Sequence, residues 1–305
     1  MSDKSKLISI IVVAVTFITL MYFFDSHKGM FFWERSMTKD SVKHVNVGDI
    51  KVGYREYGSG YPLIMIIGFA SSMNLWEQSF IDQLAKHFRV IIFDNRGMNQ
   101  TSSGTKDVTI KQFAKDTAGF LSALGIEKAN LLGWSMGSMV AQETFFLNSK
   151  VVNKLVLISS ECNTKMFPTS QEVVNKLMDH SGTQEERGQR SISLLFPEKW
   201  INSNSDRIKS IFYRRNLSAT DKAIIFKQQK AIEQWPGTCD KLSQINCPVL
   251  LITGDKDVIV SPQNSKYMAK NIKNSKLLEV GGAGHGVVFQ DRDKVEKSII
   301  NFLNN

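Results

Sequence analysis

Asn130-Leu131-Leu132-Gly133-Trp134-Ser135-Met136-Gly137 decides the fold: a short apolar run ends on the pattern G-x-S-x-G, at the end of a strand and the start of a helix. A strand that turns straight into a helix holds the residue at the turn in a strained backbone conformation. Glycines two positions away on either side then leave space where Cβ atoms would collide. Ser135 is the residue such a turn would present. Because only three positions are fixed, the surroundings must supply the rest of the evidence.

Working outward, Leu63 to Ile67, Val90 to Phe93 and Leu155 to Ile158 are equally continuous β-type runs. Continuous apolar strands mean burial on both faces, hence a parallel sheet with helices on either side. Val45 to Val47 and Ile50 to Tyr54, around Gly48-Asp49, predict a hairpin ahead of it. Between the second and third runs, Ile110, Phe113, Ala114, Thr117, Leu121 and Leu124 recur at helical spacing. Thr109 with Gln112 predicts a capping box at the start, and Gly125 closes the helix. After Ser159-Ser160 the alternation stops. Residues 161–245 are polar with helical patterning, so they predict a helical cap inserted between two strands. Pro248 to Thr253 restarts the sheet, and a helix from Ser265 to Ile272, a strand from Lys276 to Val280 and a helix from Asp291 to Leu303 complete a doubly wound α/β body. The expected division is 1–29 as anchor or signal segment, 40–160 with 246–305 as core, and 161–245 as cap.

A serine hydroxyl needs a general base to act as a nucleophile at neutral pH, normally a histidine. Of the five histidines, His27, His44, His87 and His180 lie beside the apolar terminus, in the hairpin, at a helix end and in the cap. His285 alone follows the last strand, in the loop Gly281-Gly282-Ala283-Gly284-His285-Gly286, where the carboxyl ends of parallel strands gather functional groups. A carboxylate must hold that base in one tautomer, and Gly254-Asp255-Lys256-Asp257 follows a strand between Ser135 and His285. Asp257, further into the loop, is the expected partner, and Asp255 is expected to form the turn. Glu161, after the Leu155 to Ser160 strand, is the alternative acid.

In these matches the chain from about 44 to 303 resembles the α/β-hydrolase fold superfamily, of the serine esterase type. The matches are Ile66-Ile67-Gly68-Phe69, Asp94-Asn95-Arg96-Gly97, Gly133 to Gly137, Gly254 to Asp257, and Gly284-His285-Gly286, in family order. The resemblance implies Ser135 as nucleophile, His285 as general base and acid, Asp257 as its orienter, and an oxyanion hole from the backbone N–H groups of Phe69 and Met136. Two departures stand out. Ile67-Gly68 replaces the His-Gly of many members, removing a side chain that helps fix the loop, and Asn99 stands where a second glycine is common. The implied reaction is hydrolysis of a carboxylic ester or related acyl bond through an acyl-enzyme, without cofactor or metal. Carbon–carbon bond hydrolysis and cofactor-free haloperoxidase chemistry use the same triad in the family. A membrane-tethered ligand-binding or signalling module that keeps the architecture without turnover is the alternative from another class.

Composition agrees with this reading. With 305 residues, 42% hydrophobic and 6 Pro, the chain is not disordered or collagen-like. Its net charge of +9 is concentrated between Arg207 and Lys230, where Arg207, Lys209, Arg214, Arg215, Lys222, Lys227 and Lys230 face only Asp221. Such a stretch suits anionic lipid headgroups, an acidic substrate or a solvated helical face; no motif supports nucleic-acid binding. Trp200, Phe212 and Trp235 are candidates either to line a pocket or to pack on the sheet. Leu7 to Phe24 is an uncharged run of 18 residues between Lys4/Lys6 and an aromatic group, which predicts a single-pass signal-anchor with the body exported. Cleavage and secretion is the alternative. Cys162, Cys239 and Cys247 show no metal-ligand spacing; in an exported body two of them can pair. Oligomeric state is not specified by the sequence.

Overall fold

The computed structural model describes residues 41–179, 181–212 and 219–305. The expected N-terminal anchor lies outside them. Among the described residues no helix is long and apolar enough to cross a membrane.

Eight strands form one sheet: β1 (Lys43–Val47), β2 (Ile50–Tyr57), β3 (Pro62–Ile66), β4 (Arg89–Phe93), β5 (Ala129–Trp134), β6 (Val152–Ile158), β7 (Val249–Gly254) and β8 (Ser275–Val280). Their order is β1-β2-β4-β3-β5-β6-β7-β8. Only the hairpin β1–β2 and the β2–β4 pair are antiparallel. Every residue of β5 and β7 is buried, which is why both are written as unbroken apolar runs.

Helices α1 (Gln78–Ala85), α2 (Ile110–Ala123) and α3 (Met136–Leu147) follow β3, β4 and β5. Between β6 and β7 come α4 (Gln171–Met178), α5 (Gln184–Leu195), α6 (Glu198–Ser203), α7 (Ser205–Phe212) and α8 (Ala219–Glu233); this segment is called the cap below. Then α9 (Pro262–Asn271), α10 (Val287–Gln290) and α11 (Arg292–Asn304) complete the chain. Phe113 and Phe120 of α2, Met139 and Val140 of α3 and Met268 of α9 join the core on one face. Phe80 and Leu84 of α1 with Val295 and Ile299 of α11 join it on the other, as a doubly wound sheet requires. Leu131, Leu132, Leu157, Leu251 and Ile252 are fully buried, and truncating any one to alanine is worth about 2–5 kcal/mol.

Two local expectations need correction. Thr109 does cap α2, accepting from the Gln112 N–H at 3.0 Å, but the Gln112 side chain turns to Asp116 at 2.8 Å, so only half of the capping box forms. Helix α9 starts at Pro262 rather than Ser265, because Ser261 accepts from the Gln263 N–H and proline fits the first helical position.

The segment Asp94-Asn95-Arg96-Gly97 is a structural joint. Arg96 is fully buried, and its guanidinium makes five hydrogen bonds: two to Asp116, two to Asp49 and one to the Ser103 carbonyl, all between 2.7 and 3.0 Å. The two carboxylates hold that guanidinium charged, well above its ordinary pKa. Asn99 takes φ +44°, a conformation asparagine tolerates better than most residues, and donates to Asp94 at 2.8 Å. That explains how the chain does without a glycine there.

The cap segment is clasped at its base and meets the core at separate ties. Cys162 and Cys239, near its two ends, form a disulfide, and Cys247 is a buried free thiol whose pKa burial pushes up to about 12. Trp235 is buried and donates to Glu143 at 2.8 Å, so it packs on the core. Trp200 stacks on Phe196 at 4.5 Å. Within the basic stretch, Arg207 pairs with Glu77 at 2.8 Å and Lys230 lies 4.6 Å from the Phe226 ring centre. The side chains of residues 209–222, and with them Phe212, lie outside the description.

Candidate active site

Sheet register brings the relevant loops to one edge. Ile66 pairs with Gly133, Trp134 with Ile158, and Ile158 with Ile252. The chain segments after β3, β5, β6 and β7 therefore leave the sheet side by side at its carboxyl edge, where open α/β sheets collect ligands.

Ser135 occupies the turn between β5 and α3 with φ +56° and ψ −123°, a region that a residue with a side chain adopts only when its surroundings impose it. The imposition is steric. A Cβ at Gly133 would lie 2.3 Å from the Gly137 carbonyl oxygen, and one at Gly137 would lie 2.1 Å from that of Ile66. The turn is fastened by the Ser135 N–H donating to Ile158 at 2.9 Å and by the Ser138 hydroxyl donating to the Ser135 carbonyl at 2.6 Å. Met136, the next residue, opens α3, so its N–H belongs to the first turn and has no partner within the helix.

His285 and Asp257 meet. The His285 Nδ1 lies 2.9 Å from Asp257 Oδ2 and 3.1 Å from Oδ1, and both side chains are buried. Oδ1 also accepts the N–H groups of Ile259 and Val260 at 3.0 and 2.9 Å, which fixes the carboxylate before it meets the ring. A carboxylate at Nδ1 makes that nitrogen the N–H donor and leaves Nε2 with its lone pair. The two loops are zipped together: Lys256 N–H donates to the Ala283 carbonyl at 2.8 Å, and Asp255 accepts the Gly282 N–H at 2.6 Å. Asp255 thus ties the turn while Asp257 reaches the histidine.

The glycine-rich loop around His285 is therefore held firmly. Trp134 Nε1 donates to the His285 carbonyl at 3.1 Å and Ser159 Oγ does so at 3.2 Å, joining the histidine to the residue before Ser135. Gly286 donates to the Leu195 carbonyl at 2.9 Å, and a Cβ there would sit 2.2 Å from the Phe196 ring. Glycine at 286 permits the cap to approach closely. Nothing beyond their places at strand ends marks Ser159 or Trp134 for these roles in the sequence.

Glu161 makes no hydrogen bond to His285. Its carboxyl is buried beside the His285–Asp257 pair, and its pKa is pushed up to about 7 by burial, with a charged His285 opposing the shift and the Asp257 carboxylate adding to it. The backbone at Glu161 is fixed by Gln142, whose Nε2 donates to the carbonyls of Ser138 and Glu161 and to Ser160 Oγ, while its Oε1 accepts from Thr238 of the cap at 2.6 Å.

Phe69 lies in the loop after β3. A Cβ at Gly68 would stand 3.3 Å from Ser135 Cβ and 3.9 Å from its Oγ, so this loop runs directly past the serine. The Phe69 N–H donates to no group among the described residues. A separate cleft of about 430 Å³ opens between Ser193–Glu198 and Asp255–Val258; it touches Asp257 but is lined by neither Ser135 nor His285. Among the described residues no three His, Cys, Asp or Glu side chains group as metal ligands.

The comparisons bear on the fold. A Synechocystis sp. protein named "Putative non-heme chloroperoxidase" is 26% identical over 277 residues, covering 86% of this chain and 98% of its own. A thermophilic esterase from Thermogutta terrifontis superposes with a TM-score of 0.74 at 23% identity, over 87% of this chain and 98% of its own. A meta-cleavage product hydrolase from Pseudomonas fluorescens does so with a TM-score of 0.77 at 20% identity, over 86% and 97%. The family model for the alpha/beta hydrolase fold matches residues 61–291, and the chain belongs to that family.

Proposed function

We propose that this chain is a serine hydrolase that cleaves carboxylic esters through an acyl-enzyme. The observation that carries this reading is the His285 Nδ1 bond to the Asp257 carboxylate on the same sheet edge as Ser135 in its strained turn. Ser135 Oγ attacks the ester carbonyl carbon while His285 Nε2 takes its proton. The tetrahedral oxyanion rests on the N–H groups of Met136 and Phe69. Collapse expels the alkoxide, which leaves as an alcohol with the proton from His285. Water then attacks the acyl-enzyme with the same proton transfers and returns the serine. Asp257 keeps the imidazole in one tautomer and stabilises the imidazolium. An esterase among similarly folded structures supports the ester class.

The test is labelling of the full-length chain by a fluorophosphonate together with turnover of p-nitrophenyl esters of graded acyl length. Ser135→Ala and His285→Ala are expected to abolish both. A folded wild-type chain that neither labels nor turns over ester would support the binding-module reading instead. The N-terminal apolar run is proposed as a membrane anchor with the body on the exported side; the Cys162–Cys239 disulfide supports an oxidising compartment. Carbonate extraction of membranes, with protease added from outside, tests both parts.

A further inference from the structure

We infer that Gln228, on cap helix α8, is a positioning residue for the oxyanion loop, holding the Ala70 N–H so that the neighbouring Phe69 N–H faces Ser135. This rests on the serine hydrolase reading. The Gly68–Phe69 peptide is bracketed on both sides. Upstream, the Ile67 carbonyl accepts from Asn95 Nδ2 at 3.2 Å. Downstream, the Ala70 N–H donates to Gln228 Oε1 at 2.9 Å, across 158 residues of sequence. The Phe69 carbonyl in between accepts from Ser71 Oγ at 2.9 Å. Ala70 itself has φ +50°, a conformation that a residue with a Cβ leaves readily when nothing holds it. Many α/β hydrolases have a histidine where this chain has Ile67, and the fixing that such a side chain supplies is taken over here by the cap.

Packing around Gln228 makes this a built contact. Ile224, one turn earlier on the same face of α8, presses against Gly97, where a Cβ would come within 2.5 Å of its Cδ1. Ile224 and Ile225 cluster with Met98, and Phe69, Ala70 and Val108 pack against them. Two isoleucines thus seat α8 on the loops after β3 and β4 without help from a polar group. Gln228 is nevertheless completely buried, and its Nε2 has no hydrogen-bond partner among the described residues. A buried amide with half its capacity unmet is a poor packing residue. Its service is the acceptor oxygen. The amide orientation follows from that bond, since a flipped group would set donor against donor.

The consequence is that seating of the cap and stabilisation of the transition state are coupled through one hydrogen bond. Gln228→Met keeps the volume and removes the acceptor; Gln228→Glu keeps an acceptor oxygen. With p-nitrophenyl acetate, Q228M is expected to lower kcat about 10–100-fold, short of the 10²–10³-fold that outright loss of an oxyanion donor brings. KM should stay within about twofold, and fluorophosphonate labelling should slow by a similar factor to kcat, because the phosphoryl oxygen and the ester oxyanion draw on the same N–H donors as Ser135 attacks. Q228E should recover most of the loss. Ile224→Ala serves as the control for cap seating, with its effect expected in KM and thermal stability. If Q228M does not fold, Gln228→Asn, whose shorter side chain withdraws the carboxamide from Ala70, carries the test. A kcat within about twofold of wild type, or a loss that follows KM and stability as in I224A, overturns the inference while leaving the hydrolase reading intact. A wild-type chain labelled no faster than Ser135→Ala overturns both.

Discussion

The strands that deliver Ser135 and Asp257 are buried along their whole length, Ala129–Trp134 and Val249–Gly254 alike, whereas helix α4 of the cap, Gln171–Met178, buries no residue at all. The core fixes these candidate catalytic groups by many mutual constraints: register, close-approach glycines and a zipper of loop hydrogen bonds. The cap is clasped at its base by the Cys162–Cys239 disulfide and fastened to the core at a few separable points, among them the Arg207–Glu77 pair, the Trp235–Glu143 bond and the Gln228–Ala70 bond. Damage to the first kind of region should abolish chemistry or folding outright. Damage to the second should produce graded changes.

The sharpest way to break this contrast is at the histidine's partner. Asp257→Asn is expected to lower kcat about 10⁴-fold, because an amide at Nδ1 no longer selects the productive tautomer or stabilises the imidazolium. Glu161→Gln should leave kcat within about tenfold, since Glu161 makes no bond to the ring. Steady-state turnover of a p-nitrophenyl ester decides between them. Equal losses would restore Glu161 as the orienting acid.

Next comes the buried joint beneath the site. Arg96→Met leaves Asp116 without its cation in a buried setting, which typically destabilises by about 3–5 kcal/mol. Urea unfolding at neutral pH measures it. A change below about 1 kcal/mol would mean that solvent reaches the pair and that the core side of the contrast is weaker than its burial suggests.

These two positions also mark what the sequence discloses. The places of Ser135, Asp257 and His285 at one sheet edge are legible because sterics and strand order confine them: glycines flank the Ser135 turn where Cβ atoms would collide, and each candidate residue follows a strand. Arg96 stood out as part of a family-like segment, yet its partners Asp49 and Asp116 did not, because hydrogen-bond partners distant in sequence leave no periodic trace. The cap's helices were legible only as a class. Helix α4 carries an apolar stripe, Val173, Val174, Leu177 and Met178, but it is only half-buried and does not name what it packs on, and the Gln228–Ala70 contact joins residues whose local sequences carry no sign of each other. The cysteine pairing was equally open, since three cysteines allow three pairs and only the fold places 162 beside 239.

On the cap side, the disulfide offers a graded break. Cys162→Ser with Cys239→Ser opens a loop closed across 77 residues, for which about 2–4 kcal/mol is the usual range. The loss is expected in thermal unfolding of the double variant and, equally, in wild type under reductant. Ester turnover below the melting range should persist at a reduced level. Complete loss of turnover in a folded variant would show that the cap is as integral to the chemistry as the sheet is.

The smallest effect lies at the seam between the two regions, where Glu161 ends the β6 loop and Cys162 begins the tie to the cap. Burial raises the Glu161 pKa to about 7 from the ordinary glutamate value of about 4.5. The folded chain therefore keeps a proton that the unfolded chain has already lost, and stability contributed at this residue falls as pH rises between those values. Above about pH 7 the penalty is fully present, at most about 3 kcal/mol for a shift of that size. Glu161→Gln removes the titration but still buries an amide, which returns part of the gain. A net increase of about 1 kcal/mol at pH 8 is the expected balance, shrinking towards zero or reversing near pH 5. Melting temperatures of wild type and E161Q measured from pH 5 to 8 should diverge as pH rises and run parallel beyond about 7. A gap that does not change with pH would mean that the carboxyl reaches solvent, placing Glu161 with the loosely held cap instead of the sheet edge.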